Sequence, residues 1–441
     1  MSGRYGAIVI GAGPAGEVCA GELADGGMKV AIAESQLVAG ECSYWACMPS
    51  KTLLRPGETL AAALHAWGAR RAVTGELDAA ESLEWRNEVV SDWDDSGQVE
   101  WLTDRGIELL RGEARISGPG RVSVDGAEHE CERIVVATGS APAFPPVEGL
   151  DDLDGVWTNR EVTGMKEVPR SIVILGGGPV GVEMAQALTR FGADVTLVEA
   201  EDRLLAREAA PVGETLAEAL GEEGVDLRLG ALAESAAAGG DGFTLALEGG
   251  DELTAEKLLV ATGRKPNVDV GLDSVGIEPG KQGIEVDERL RAGDGVWAIG
   301  DVTGIMPFTH VGKYQGKIAA QDMLGRQARA DYRAVPRVVF TDPQVAAVGE
   351  SEGASTGTAE LTALARTSTY ARNGEARGFL TLVSDGTKLT GAYAVGPEAG
   401  DWMGQATLAV RAGVPLDLLR DTIQPFPTFS EAFASALADL G

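Results

Sequence analysis

Residues 7–34, AIVIGAGPAGEVCAGELADGGMKVAIAE, begin with four apolar residues and turn through three glycines. They then resume as a helix-periodic run before a second apolar segment that ends in an acid. Few folds accept that order. Gly11 permits a tight turn, and Gly13, with Pro14 and Ala15 behind it, lets the backbone close on a pyrophosphate. Gly16 lets the helix lie against the strand. The helix N-terminus then favours phosphate, and Glu34 is placed to accept from a ribose hydroxyl. The glycine pattern alone is weak evidence, but between a strand and a helix, with an acid about twenty residues on, it is strong.

The unit recurs. Residues 170–205 contain Ile172 to Leu175 as strand, Gly176-x-Gly178-x-x-Gly181 as turn with Val180 inside it, and Glu199 closing the next strand. Two such units imply two dinucleotides, most simply one held permanently and one exchanged. A carboxylate at Glu199 favours the free ribose hydroxyls of NADH and repels the extra phosphate of NADPH. Arg203 and Arg207 stand close behind and soften that preference, so NADPH remains the second choice. IVVATGSAP (134–142), with Thr138 and Gly139, and LLVATGRKPN (258–267), with Gly263, are near-copies, each a buried strand ending in Ala-Thr-Gly. VWAIGDVTG (296–304) brings Gly300 and Asp301 to a strand C-terminus, where ligands sit in open α/β sheets. The fold class is therefore α/β with two Rossmann-like dinucleotide-binding domains.

Composition narrows the function. A net charge of −30 argues against nucleic acid and anionic membranes, both of which need a basic footprint. No apolar run approaches the ~20 residues of a membrane span, and the first residues lack signal-peptide character. A cytoplasmic protein is expected.

Two of the four cysteines stand in GECSYWACMPSK (40–51), as Cys42 and Cys47. Zinc needs about four ligands, and none of the three histidines lies nearby in sequence. No metal is expected. A static bridge does not suit the expected compartment. A redox pair fits better: Pro49 suits the first turn of a helix, which places Cys47 at a helix N-terminus where thiolate is stabilised. Lys51 adds positive charge about one turn on. Cys19 and Cys131 read as core residues.

With these motifs in place, the chain resembles the FAD-dependent pyridine nucleotide–disulfide oxidoreductases, the group of dihydrolipoamide dehydrogenase, glutathione reductase and mercuric reductase. The resemblance rests on the two glycine turns, the C-x-x-x-x-C-x-P-S-K box, Glu183 after the second turn, A-T-G-R-x-P-N, the Gly300–Asp301 pair and P-T-x-S-E near the end. It implies FAD on the first unit, with Glu34 on its ribose, and NAD(P)H on the second. Asp301 would bind the ribityl–phosphate part, and Lys51 would lie beside the flavin, paired with Glu183. Cys47 would be the sulfur next to flavin and Cys42 the outer sulfur that meets substrate. It further implies an FAD domain from 1–148 and 264–330, an NAD(P)H domain from 149–263, and an α+β dimerisation domain from 331–441. That last domain would make a homodimer with shared active sites. His310 would precede the helix that points at the flavin, in a structural role.

The chain departs from this pattern at two places. Where the family carries His-Pro-Thr with a glutamate five residues after the histidine, this chain has QPFPTFSEAF, with Phe426 at the histidine position and Glu431 retained. A positioned acid–base is worth ~10²–10⁴-fold, and phenylalanine supplies none. Between the cysteines stand Ser43, Tyr44, Trp45 and Ala46, a bulkier and more apolar insert suited to a flat or apolar substrate. No cysteine follows Cys131, which argues against the relay of mercuric and large thioredoxin reductases. Three functions stay open: reduction of a small disulfide or other sulfur substrate through Cys42 and Cys47, direct reduction of quinones by the flavin, and redox sensing with little turnover. The alanine-rich stretches 208–222 and 231–240 are expected as helix and loop.

Overall fold

The short apolar runs that the glycine turns punctuate form buried parallel strands in the computed structural model, which describes residues 4–240, 242–371 and 377–440. Contacts divide the chain into two units. One holds the chain up to Pro49 with Arg86–Ala143 and Arg264–Asp331, and the other Ser50–Trp85, Phe144–Gly263 and the chain from Tyr332.

The first unit is built on a six-stranded sheet. Its order is Arg291–Gly293, Val296–Ala298, Ile134–Val136, Ala7–Ile10, Val30–Glu34 and Glu108–Arg111. All neighbours run parallel except the antiparallel edge strand Arg291–Gly293. Every residue of Ala7–Ile10 and Ile134–Val136 is buried, as central strands covered on both faces require. Helix Pro14–Asp25 follows the first strand at once.

The second unit repeats that beginning. Its four-stranded parallel sheet has the order Asp226–Leu229, Asp194–Glu199, Ser171–Leu175 and Lys257–Val260, with helix Pro179–Arg190 after the glycine turn. The two turns are superposable in their constraints. A Cβ on Gly16 would stand 2.0 Å from the carbonyl oxygen of Gly11, and one on Gly181 would stand 1.9 Å from that of Gly176. Glycine at these positions is a packing requirement. From residue 336 onward a five-stranded antiparallel sheet forms, in the order Pro336–Val339, Gln344–Gly349, Leu389–Gly396, Phe379–Ser384 and Ser355–Glu360. Leu380 and Leu382 share a core there with Phe433 and Leu437 of helix Glu431–Asp439.

The expected helix appears as Ala210–Glu222, but the expected loop at 231–240 does not. Residues Ala233–Gly239 form a strand antiparallel to Gly242–Leu247, with Ala236 buried opposite Leu245. Cross-strand burial outweighs the weak strand preference of alanine.

Candidate active site

The two glycine turns carry the same internal brace. Glu34 accepts from the backbone N–H of Ala12 at 2.8 Å and from that of Gln36 at 2.7 Å. Glu199 accepts from Gly177 at 2.5 Å and from Glu201 at 2.8 Å. Each acid read as a ribose ligand thus first closes its own loop, and each carboxylate oxygen keeps a further lone pair for a hydroxyl. Neither helix has a side-chain cap. Gly13 and Gly178 stand at the cap positions, and Pro14 and Pro179 follow at the first turn. Uncapped first-turn N–H groups with the helix dipole behind them are the requirement for phosphate. A Cβ on Gly13 would meet nothing within 4 Å, which leaves room for a phosphate beside the turn. Val180, in the first turn of the second helix, is exposed.

Gly300 packs on the first turn, where its Cβ position lies 3.2 Å from Ala15 Cβ. Asp301 is brought there with it. Its Oδ2 accepts from Ser140 Oγ at 2.6 Å, and Arg264 Nε donates to the same Ser140 oxygen at 2.7 Å. Thr138 Oγ1 donates to Asn267 O at 2.6 Å while Asn267 Nδ2 returns a bond to Thr138 O at 2.9 Å. The two near-copied segments therefore interlock, with Gly139 and Gly263 at positive φ of 67° and 134°.

The cysteines meet as their spacing implies. Cys42 lies in a short helix, Gly40–Tyr44, and Cys47 begins the helix Cys47–His65, with Pro49 in its first turn. Thr309, the first residue of helix Thr309–Met323, lies between them. Its Oγ1 is 3.1 Å from Cys42 Sγ and 3.4 Å from Cys47 Sγ, so one hydroxyl serves both sulfurs. Cys42 and Cys47 are both free, with no bond between them. Hydrogen bonding to Cys47, and then burial, push the Cys42 thiol far up, with Thr309 and Lys313 opposing. The pair's shared proton accordingly belongs to Cys42.

Thr309 stands one residue before His310, the residue of this stretch that the family resemblance singles out. That histidine does not precede the helix but is its second residue, stacked on Phe308 at a centroid distance of 5.3 Å. The insert between the cysteines also divides. Tyr44 is buried in a small cluster with Ala39 and Val90, and Trp45 packs against that cluster only half-buried. Of the two aromatics, Trp45 is the one that stays partly exposed. Cys19 and Cys131 are buried, and burial raises both thiols, Cys131 to about 11, which leaves them unreactive.

In the second unit Lys51 Nζ bonds Glu183 Oε2 at 2.8 Å, with the glutamate side chain only 6% exposed. The other glutamate oxygen accepts from the backbone N–H of Phe340 at 2.9 Å, and the Lys51 ammonium lies 4.8 Å from the centroid of the Phe340 ring. Phe340 was not foreseen, because its role is carried by a backbone N–H. Near the end of the same unit Phe426 is 74% exposed. Glu431 accepts from the backbone N–H of Thr428 at 3.3 Å, and Gln424 Nε2 is buried without a partner among the described residues.

Glu199→Ala is expected to lower kcat/KM for NADH about tenfold or more and that for NADPH less, because the brace on Gly177 serves either nucleotide whereas an acceptor for the free ribose hydroxyls would serve NADH alone. Steady-state kinetics with the two nucleotides check this. A wild-type preference for NADPH would assign control to Arg207 or to Arg203, whose Nη2 donates to Ala206 O at 2.9 Å.

Comparison with known proteins agrees with the geometry. Residues 5–316 match the pyridine nucleotide-disulphide oxidoreductase family, and residues 335–437 match its dimerisation domain. The chain is 34% identical to the dihydrolipoyl dehydrogenase of Thermus scotoductus, over 98% of this chain and 96% of that one. It is 32% identical to the mercuric reductase of Staphylococcus aureus, over 98% and 82%. The HOCl-induced flavoprotein disulfide reductase RclA of Escherichia coli has the same fold, with a TM-score of 0.87 and 28% identity over 99% of both chains. Enzymes of this kind depend on FAD and draw electrons from NAD(P)H. Among the described residues no helix is long and apolar enough to cross a membrane. The chain belongs to the pyridine nucleotide-disulphide oxidoreductases, as an FAD- and NAD(P)H-dependent enzyme.

Proposed function

We propose that the chain passes electrons from NADH by way of FAD to Cys42 and Cys47 and on to a small disulfide or another sulfur substrate. The observation that carries this reading is the Thr309 hydroxyl at 3.1 and 3.4 Å from the two sulfurs, which holds them together at the starts of two helices. The first unit's residues fit FAD. Gly13, Ala15 and Gly16 present uncapped N–H groups to the pyrophosphate, Gly11 shapes the turn before them and Pro14 opens the helix, Glu34 takes the ribose, and Thr138, Gly139, Gly300 and Asp301 complete the cradle. Lys51, paired with Glu183, is assigned to the flavin ring. Gly176, Gly178, Val180, Gly181, Glu199 and Gly263 are assigned to the nicotinamide nucleotide. FAD supplies two-electron transfer between nicotinamide and sulfur when bound.

The protein's own part is sulfur chemistry. Cys42, as thiolate, attacks one sulfur of the acceptor disulfide and forms a mixed disulfide, expelling a thiolate. Cys47 then attacks Cys42, closing the Cys42–Cys47 bond and expelling the second thiolate. Two electrons leave the dithiol and two product thiolates take up protons, one of which started on Cys42. The helix N-terminus at Cys47 favours the anion there. Functional domains follow as 1–148 with 264–330, 149–263 and 331–441, the last forming a homodimer in the cytoplasm.

A second reading is direct reduction of quinones or other acceptors at the flavin. It is favoured by the exposed phenyl ring of Phe426, which cannot protonate a leaving thiolate. An acceptor screen of the NADH-reduced enzyme separates the two. Its arms are low-molecular-weight disulfides, quinones, and the ions Hg(II) and Cu(II), the latter because RclA has been seen as a Cu(II) complex. Turnover with a disulfide that requires Cys42 supports the first reading. Turnover with quinones alone, unchanged in Cys42→Ser, supports the second, and no turnover with any acceptor leaves redox sensing.

A further inference from the structure

We propose that Glu17 and Lys313 form a charge pair that governs the proton on Cys42, so that control of the outer sulfur sits beside the dithiol, in the same folding unit. The inference rests on the role given above to Cys42. It starts from the face of one helix. Thr309 touches both sulfurs, and Lys313 follows one turn later on the same face of Thr309–Met323. That helix lies against Pro14–Asp25 at backbone distance. A Cβ on Gly312 would stand 3.2 Å from Ala15 Cβ, and one on Gly316 would stand 2.7 Å from Ala15 O. Glu17, in the first turn of Pro14–Asp25, is therefore brought to the neighbourhood of Lys313.

Glu17 is not a solvated surface acid. Its Oε1 is buried and accepts no hydrogen bond among the described residues. A carboxylate confined in that way is costly when ionised. Burial pushes the Glu17 carboxyl up to about 7, with Lys313 opposing the rise and Glu34 adding to it. Lys313 also opposes the rise of the Cys42 thiol. Besides Glu34 and Cys47, Tyr44 is in range, its hydroxyl pushed up by burial and by Asp95, Glu17 and Asp94, with Arg111 opposing. The exposed Lys313 ammonium thus acts by its charge on two acids, a carboxyl and a thiol.

The sign follows. While Glu17 is protonated, the Lys313 charge acts undivided on Cys42 and favours thiolate. As pH rises through about 7, Glu17 ionises, offsets that charge and holds the proton on Cys42. The reactivity of Cys42 therefore climbs with pH less steeply than that of a simple thiol, with a shoulder near neutrality. Near neutral pH Glu17 can take up or release its proton, as a sulfur that must alternately give up and regain a proton requires.

The test is the rate of iodoacetamide labelling of Cys42 in FAD-loaded enzyme reduced with dithiothreitol, followed by peptide mass spectrometry from pH 5.5 to 9. Cys47 labelling in the same samples is the internal control. Glu17→Gln is expected to leave the rate unchanged below pH 6 and raise it ~3–10-fold above pH 7.5, removing the shoulder. Glu17→Asp is expected to restore the shoulder. Lys313→Met, at an exposed position, is expected to slow labelling ~3–10-fold below pH 7. Profiles for Glu17→Gln and Lys313→Met that superimpose on wild type would overturn the proposal. If Cys42→Ser leaves all turnover intact while labelling still depends on Glu17, the charge pair stands and sulfur turnover falls.

Discussion

Cys42→Ser is expected to lower NADH-dependent disulfide reduction by about 10³-fold or more, the scale on which removing a nucleophile acts. Reduction of quinones, where it occurs, is expected to stay within about twofold. The asymmetry follows from the site. A serine at position 42 keeps the volume and the neighbour of Thr309 but cannot form a mixed disulfide, while an acceptor that meets the flavin directly never needs that sulfur. The variant carries a second signature. With no partner to oxidise it, Cys47 remains a thiolate at its helix N-terminus, and a long-wavelength absorption band is expected in the oxidised holoenzyme. Cys47→Ser is expected to lack that band at every redox state. A Cys42→Ser enzyme that retains full disulfide turnover would assign the chemistry to the flavin alone.

Glu183→Ala is expected to cost about 3 kcal/mol of stability and to slow turnover with NADH ~10–100-fold. Both effects come from one buried carboxylate that holds the Lys51 ammonium at 2.8 Å and the Phe340 backbone N–H at 2.9 Å. Removing it leaves a backbone donor unpaired and an ammonium with only the Phe340 ring beside it. Lys51 is a third exposed, so water recovers part of its loss and the lower end of the range for broken buried pairs applies. Glu183→Gln keeps an acceptor for Phe340 and is expected to lose less than half as much stability while slowing turnover nearly as far. Thermal unfolding and steady-state kinetics on the same preparations separate the two effects. Equal losses of turnover and stability across both variants would show a purely structural pair.

The dinucleotide units were legible in sequence because their constraints are local. A strand, three glycines and a helix occupy consecutive residues, and the steric reason for Gly16 and Gly181 lies within each turn. The bracing by Glu34 and Glu199 was not foreseen, because a carboxylate closing its own loop and one holding a ribose leave the same mark in sequence. Thr309 was out of reach for another reason. It meets Cys42 across 267 positions, a contact that exists only once strand order places helix Thr309–Met323 beside the cysteine helix. His310, with its titratable ring, drew attention that belonged to its neighbour. The strand at Ala233–Gly239 was missed because alanine has little β preference of its own and acquires it by pairing with Leu245 and its neighbours.

Anaerobic reductive titration of the purified holoenzyme counts the electrons that flavin and sulfur hold together. A working Cys42–Cys47 pair requires four electrons per subunit in the wild type and two in Cys42→Ser. Uptake of only two electrons by the wild type, with both sulfurs shown to be oxidised at the start, would contradict it.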